Sequence, residues 1–118
     1  MESISETLTN AMNDGLYFDP NLTVKIAAKK LGIPQRVLSQ HVNQDLHKSF
    51  NDYVNSYRVD EVKRKLTDQK YEHLTIASIA YDSGFRSIAT FQRAFRRMEG
   101  LSPVEYKNKS KNNPQIAI

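Results

Sequence analysis

The sequence contains no cysteine, which excludes disulfides, thiolate metal sites and cysteine nucleophiles together and fits a reducing compartment. No apolar run approaches the roughly 18–20 residues needed to span a bilayer. The first residues do not read as a signal peptide, so the expected location is cytoplasmic. There is no phosphate-cradling glycine loop, no zinc pattern and no nucleophile–base spacing, and His41, His47 and His73 lack metal-ligand spacing. The expectation is a protein that is not an enzyme and uses no cofactor or metal. Lysine and arginine are absent before Thr23, where Glu2, Glu6, Asp14 and Asp19 lie. From Thr23 onward 17 Lys and Arg face 9 acids, a balance of +8. Such a body suits a polyanion such as nucleic acid, although a basic protein without that partner has the same composition. At 39% hydrophobic and 25% charged the chain is globular rather than disordered. Its 118 residues allow one core, or two very small helical lobes sharing a connector.

What is present is an internal repeat. Shifted by 52 residues, Leu22-Thr23-Val24-Lys25-Ile26-Ala27-Ala28-Lys29-Lys30-Leu31-Gly32-Ile33 aligns with Leu74-Thr75-Ile76-Ala77-Ser78-Ile79-Ala80-Tyr81-Asp82-Ser83-Gly84-Phe85. Each copy reads as a helix and a tight turn, so a supersecondary unit is duplicated. Thr23 and Thr75 suit N-caps, whose side-chain oxygen accepts an orphan backbone N–H. Ala28 and Ala80 precede Gly32 and Gly84 by four residues. The small residue permits a close helix crossing, and the glycine accepts the positive φ that ends the first helix. Two ordinary helical hairpins would share part of this pattern.

The helices after the glycines have two faces. The first runs from about Pro34 to Asp45, with Pro34 in the opening turn, where a missing N–H costs nothing. Val37, Leu38, His41 and Val42 form its inward stripe, opposite Gln35, Arg36, Ser39, Gln40 and Asn43. In the second, Ser87 is the expected cap, and Phe91, Ala94, Phe95 and Met98 recur at i, i+3, i+4, i+7. Ile88, Ala89, Gln92, Arg93 and Arg96 are left outside, with Thr90 at the edge. Arg86, Arg93, Arg96 and Arg97 fall within twelve residues that hold no acid, whereas a merely solvated surface usually mixes signs.

Scaffold fills the rest. Ile4, Leu8, Ala11 and Met12 predict a first helix stopping near Gly15 and the Asp19-Pro20 turn. A long helix from Ser49 to about Asp68, opened by Ser49 with Asp52, buries Phe50, Tyr53, Val54 and Tyr57. Its roughly 19 residues would measure about 28 Å, against the roughly 34 Å between successive major grooves on one face of a duplex. Ser102-Pro103-Val104-Glu105 is a capping box with proline at the first helical position. The expected fold is all-α: two helix-turn-helix subdomains joined by a long linker helix, with seven helices and no strand. Residues 1–20 form an N-terminal helix and turn. The tandem domain covers 21–107, with its first unit at 21–46, the linker at 49–68 and the second unit at 74–107. A flexible tail occupies 108–118.

The chain resembles the DNA-binding domain of AraC/XylS-type bacterial transcription regulators. The resemblance rests on Ile79-Ala80, Ser83-Gly84-Phe85, Phe91, Arg93, Phe95, Gly100-Leu101-Ser102-Pro103 and Tyr106-Lys107. Upstream it includes Leu22-Thr23, Ala27-Ala28, Gly32, Leu38-Ser39, Phe50, Tyr53 and Arg58, so it covers Leu22 to Lys107. It implies two lobes, each placing a recognition helix in a major-groove segment on one side of the duplex. Carried over by position, the base-facing candidates are Arg36, Ser39 and Gln40, then Ile88, Ala89, Thr90, Gln92 and Arg93. Pro34 departs from the polar cap common in the family, and Ile88 and Ala89 from longer polar side chains. Those two favour apolar contact with thymine methyls. The pattern of Asn43, Ser49 to Asn55 and Tyr57-Arg58-Val59 is similar to a branch in which the domain ends much longer sensor proteins, some membrane-bound. That implies a parent with an N-terminal sensor domain absent from this chain, and leaves open that the chain is a fragment.

The chemistry of the outer faces agrees with the resemblance. A guanidinium can donate twice to guanine O6 and N7, and a glutamine can pair bidentately with adenine N6 and N7. Arg36, Arg93, Gln40 and Gln92 are therefore the leading base readers, with a salt bridge from Arg93 to Asp82 or Glu99 as its structural alternative. Gln35, Arg86, Ser87, Arg96, Arg97 and Lys107 are expected at phosphates, together with helix N-terminal amides, though Ser87 can be no more than a cap. Phe50, Tyr53, Phe85, Phe91, Phe95 and Tyr106 sit at inward spacing, which favours core over base-stacking platforms. The expected function is sequence-specific binding of double-stranded DNA as a regulator's output domain, an activator, with RNA polymerase as a further partner and no small-molecule ligand in this domain. The alternative is a helical protein-interaction module docking on the transcription machinery.

Overall fold

The computed structural model describes residues 3–112 and, among them, is all-helical without a strand. The helices are α1 (Ile4–Asn13), α2 (Val24–Leu31), α3 (Gln35–Gln40), α4 (Phe50–Leu66), α5 (Ile76–Asp82), α6 (Ile88–Glu99) and α7 (Pro103–Asn112). Short 3₁₀ turns lie at Leu16–Phe18 and Gln69–Tyr71, and a π turn at His41–Asp45. The chain divides into two compact units at the Tyr57–Arg58 junction, within α4.

In the first unit, Ser3 caps α1 by accepting from the Glu6 N–H, and Gly15 at φ +101° takes the chain out of it. Thr23 caps α2 by accepting from the Ile26 N–H at 3.2 Å. Gly32 ends α2 at φ +68°, and the Ile33 N–H reaches back to the Ala28 carbonyl at 3.0 Å. Leu8, Met12, Ala27, Leu38 and Val42 are buried together with Phe50, Tyr53 and Val54 from the first half of α4. Tyr53 and Tyr57 meet edge to face at 5.3 Å, and burial pushes the Tyr53 phenol far above its usual range.

The second unit repeats the device. Thr75 caps α5 through the Ser78 N–H at 3.0 Å, Gly84 takes φ +103°, and the Phe85 N–H bonds the Ala80 carbonyl at 3.1 Å. Val59, Val62 and Leu66 from the second half of α4 pack with Ile79, Phe85, Phe91, Ala94 and Phe95. Phe85, Phe91, Phe95 and Tyr106 form an edge-to-face row with centroids 5.2, 5.8 and 5.6 Å apart. This geometry favours aromatic pairs beyond their buried area. The guanidinium of Arg58, itself buried, lies 5.9 Å from the Phe85 ring. Lys63 of α4 pairs with Glu99 at the end of α6, at 3.0 Å.

Four boundaries differ from the sequence expectation. Pro34 is the N-cap of α3, in extended backbone at ψ 134°, rather than part of its opening turn; with no side-chain donor or acceptor it makes no cap bond. The helix that follows is not α throughout: after Gln40 it widens into the π turn, where the Leu46 N–H reaches the His41 carbonyl at 3.3 Å. The C-terminal residues 108–112 are helical rather than a flexible tail. Lys109 and Lys111 sit in the last turn of α7, where cations suit the helix dipole, and Ser110 is buried. Residues 113–118 lie outside the described residues. The linker helix also stops at Leu66 rather than Asp68, whose carboxylate instead accepts from the Lys70 N–H at 2.9 Å and opens the next turn. The Ser102–Glu105 box closes as expected, with both reciprocal bonds at 2.9 and 3.1 Å. Those bonds hold the Glu105 carboxyl below its usual range.

Two stability predictions follow from these contacts. Phe95→Ala, at a fully buried ring, is expected to cost about 3–5 kcal/mol in urea unfolding. Gly32→Ala is expected to cost only about 1 kcal/mol, because nothing lies within 4 Å of an added Cβ and the left-handed backbone alone opposes it. For Lys63 and Glu99, a double-mutant cycle with Lys63→Met and Glu99→Gln should return a coupling of about 1 kcal/mol or less. Burial pushes the Lys63 ammonium down, but hydrogen bonding and charge attraction from Glu99 outweigh it and raise its pKa above 10.5. Toward alkaline pH the coupling is therefore kept in full up to pH 10.5 and lost as pH rises through the folded value.

Candidate nucleic-acid interface

In the first unit, the buried Leu38 and Val42 turn one side of α3 and its π turn inward. Gln35, Arg36, Gln40 and Asn43 are exposed and Ser39 is half-buried. His41 lies largely inside, its Nδ1 2.8 Å from an Asp45 carboxylate oxygen. Gln44, within the π turn, is exposed as well.

In the second unit the cap of α6 is Ser87, whose Oγ accepts from the Thr90 N–H at 3.2 Å and donates to the Thr90 hydroxyl at 2.9 Å. Phe91, Ala94 and Phe95 are buried, so α6 can present only its other side. That side carries Ala89, Gln92, Arg93, Arg96 and Arg97, all exposed, with Arg86 exposed just before the cap. Among the described residues Arg36, Arg86 and Arg93 form no ion pair within the chain. The alternative of an Arg93–Glu99 bridge is not realised, because Glu99 is taken by Lys63. Arg96 lies close enough to Glu105 to help keep that carboxyl ionised.

Three expected DNA contacts are placed differently from the rest. Ile88 is half-buried and packs against the core of its unit, so most of its side chain serves the fold. Thr90 is half-buried and bonded to Ser87. Lys107 does not belong to the α6 face; it is half-buried beside the end of α4, along with Leu66, Tyr71 and Ile79. An open groove of about 430 Å³ runs beside the recognition face, with Gln92, Arg93 and Arg96 on it and Ile76, Ile88 and Val104 supplying apolar surface. No helix among the described residues is long and apolar enough to cross a membrane, and no cluster of three metal-ligating side chains occurs among them.

Comparison with known proteins matches this geometry. A family model of a helix-turn-helix domain fits residues 27–109. A helix-turn-helix-type transcriptional regulator of Staphylococcus aureus (strain COL) is 29% identical over 92 residues, which are 78% of this chain but only 12% of that regulator's length. The C-terminal domain of AraT, a response regulator from Geobacillus stearothermophilus, superposes with a TM-score of 0.69 at 26% identity, over 79% of this chain and 74% of that one. The DNA-binding domain of AdpA, a global transcriptional factor solved with a target DNA, superposes with a TM-score of 0.79 at 20% identity, over 98% and 99%. The chain belongs to the helix-turn-helix domain family, and within it to the AraC type.

Proposed function

We propose that this chain is the output domain of a transcription regulator, reading double-stranded DNA with α3 and α6 as recognition helices in successive major-groove segments. The observation that carries the reading is the face of α6. Its apolar stripe is locked into the core by Phe91 and Phe95, and the exposed remainder, Gln92, Arg93 and Arg96, holds guanidinium and amide groups with no acid between Arg86 and Arg97. Exposed arginines beside a glutamine, Arg93 among them without an ion pair, match the donor and acceptor edges that base pairs offer in the major groove. A face built for protein docking would be apolar instead, as the interaction-module alternative requires.

Within this reading Arg36 and Arg93 address guanine, and Gln40 and Gln92 adenine. Ser39 contributes a hydroxyl, and Ala89 with the exposed edge of Ile88 meets thymine methyls. Arg86, Arg96, Arg97 and Gln35 hold phosphates, while Ser87 and Thr90 set the start of α6 so that its first amides face the backbone. The chain spans about one-eighth of the length of the Staphylococcus regulator it matches. The parent is read as a longer cytoplasmic or membrane-anchored activator with an N-terminal sensor, acting on RNA polymerase. No turnover is assigned to the domain.

Two measurements check this. Arg93→Ala and Gln92→Ala are each expected to cost about 1–3 kcal/mol on a selected duplex and far less on random duplex; equal losses on both would remove them as base readers. Binding measured against salt should show log K falling with log salt at a slope of about −4 to −5, for the five arginines placed against the duplex. A slope near zero would favour the protein-docking alternative.

A further inference from the structure

The two reading helices end in different ways. In the second unit α6 stops at Gly100, which takes φ +75°, and the Gly100 N–H closes on the Arg96 carbonyl at 2.8 Å. In the first unit the left-handed residue is not a glycine. Beyond Gln40 the chain widens into the π turn, and His47 follows it at φ +56°. The backbone bonds that close this end are the Leu46 N–H to the His41 carbonyl at 3.3 Å and the Lys48 N–H to the Val42 carbonyl at 3.2 Å. Both are longer than the usual distance of about 2.9–3.0 Å. A side-chain bond across the same turn is shorter than either: His41 Nδ1 lies 2.8 Å from an Asp45 carboxylate oxygen.

The two nitrogens of the His41 ring meet different surroundings. A carboxylate oxygen can only accept, so Nδ1 carries a hydrogen and donates it. Nε2 is closed to solvent and has no hydrogen-bond partner among the described residues. The opposite tautomer would set the Nδ1 lone pair against the carboxylate and bury an N–H without an acceptor, two costs at once. The His41 side chain is 13% exposed and that of Asp45 67%, so the carboxylate can be altered without opening the core.

We propose that His41, fixed as its Nδ1–H tautomer by Asp45, is a positioning residue for base reading by α3. The tie holds the far end of the helix and with it the exposed Gln40, the residue just before the turn. The inference rests on the reading of α3 as a recognition helix. A reading group has to be held to within about 0.5 Å of its productive geometry. Slack in the adjoining turn therefore lowers discrimination between bases before it lowers attraction to the phosphate backbone.

The test has two arms on the ¹⁵N-labelled full chain. Ring ¹⁵N spectra at alkaline pH are expected to show Nδ1 protonated and Nε2 unprotonated in His41. Binding is then measured on a duplex selected from a random pool and on its single-base-pair variants, with a dispersed amide spectrum as the check that each protein variant is folded. Asp45→Ala is expected to lower discrimination about fivefold at the base pairs where Gln40→Ala also lowers it, and to spare those where Gln92→Ala acts. His41→Asn places an amide N–H near the position of Nδ1–H and is expected to stay within about twofold of the original discrimination. His41→Leu, which has no donor, should lose it as Asp45→Ala does. A protonated Nε2 beside a bare Nδ1, unchanged discrimination in folded Asp45→Ala, a loss spread equally over all base pairs, or no base pair sensitive to Gln40→Ala would overturn the proposal. A chain that prefers no duplex in the pool would end the DNA reading and the positioning role with it, while the ring spectrum still reports the tautomer.

Discussion

The edge-to-face row of Phe85, Phe91, Phe95 and Tyr106 is the contact on which the second lobe depends. Three of these rings are almost wholly removed from water, and burying each contributes a few kcal/mol. Because Phe91 and Phe95 are four apart on one helix, satisfying both fixes the rotation of α6 about its axis. The orientation of the arginines is then a consequence of the core rather than of any attraction between the arginines and their surroundings. Like charges gathered on one helix face repel one another, and the cost of gathering them is met by ring packing on the other side of the same helix.

The first lobe reaches a comparable result with less aromatic area. Leu38 and Val42 are its inward anchors, and Tyr53 with Tyr57 closes the core from α4. In both lobes the crossing of the two helices is set by the same backbone bond, from the residue after the glycine to the alanine carbonyl. The duplication visible in the sequence is thus a duplication of hydrogen-bond geometry, not only of residue types.

Much of this was legible in the sequence because the relevant rules are local. Thr23, Thr75 and Ser87 cap helices, and Gly32 and Gly84 take positive φ, since neither requires knowledge of the distant chain. The inward stripe of α6 was legible for the same reason. Harder to read were features decided by tertiary surroundings. Ile88 reads as outward from period alone, yet α5 and the core lie close enough to cover it. The π turn at His41–Asp45 breaks the 3.6 period that the reading assumed, and no proline or glycine marks it. Lys107 reads as a phosphate contact by position in a motif, but the fold sets it beside the end of α4. The helicity of residues 108–112 is not legible in the sequence, because a run of Lys, Asn and Ser has no apolar stripe to announce it.

The separation of duties on α6 has an evolutionary consequence. Folding is carried by Phe91, Ala94 and Phe95, and helix initiation by Ser87 and Thr90, so Ala89, Gln92 and Arg93 owe the scaffold almost nothing. Selection can therefore exchange those three side chains freely while the lobe keeps its stability, and new target sequences become reachable by single substitutions that leave the protein folded.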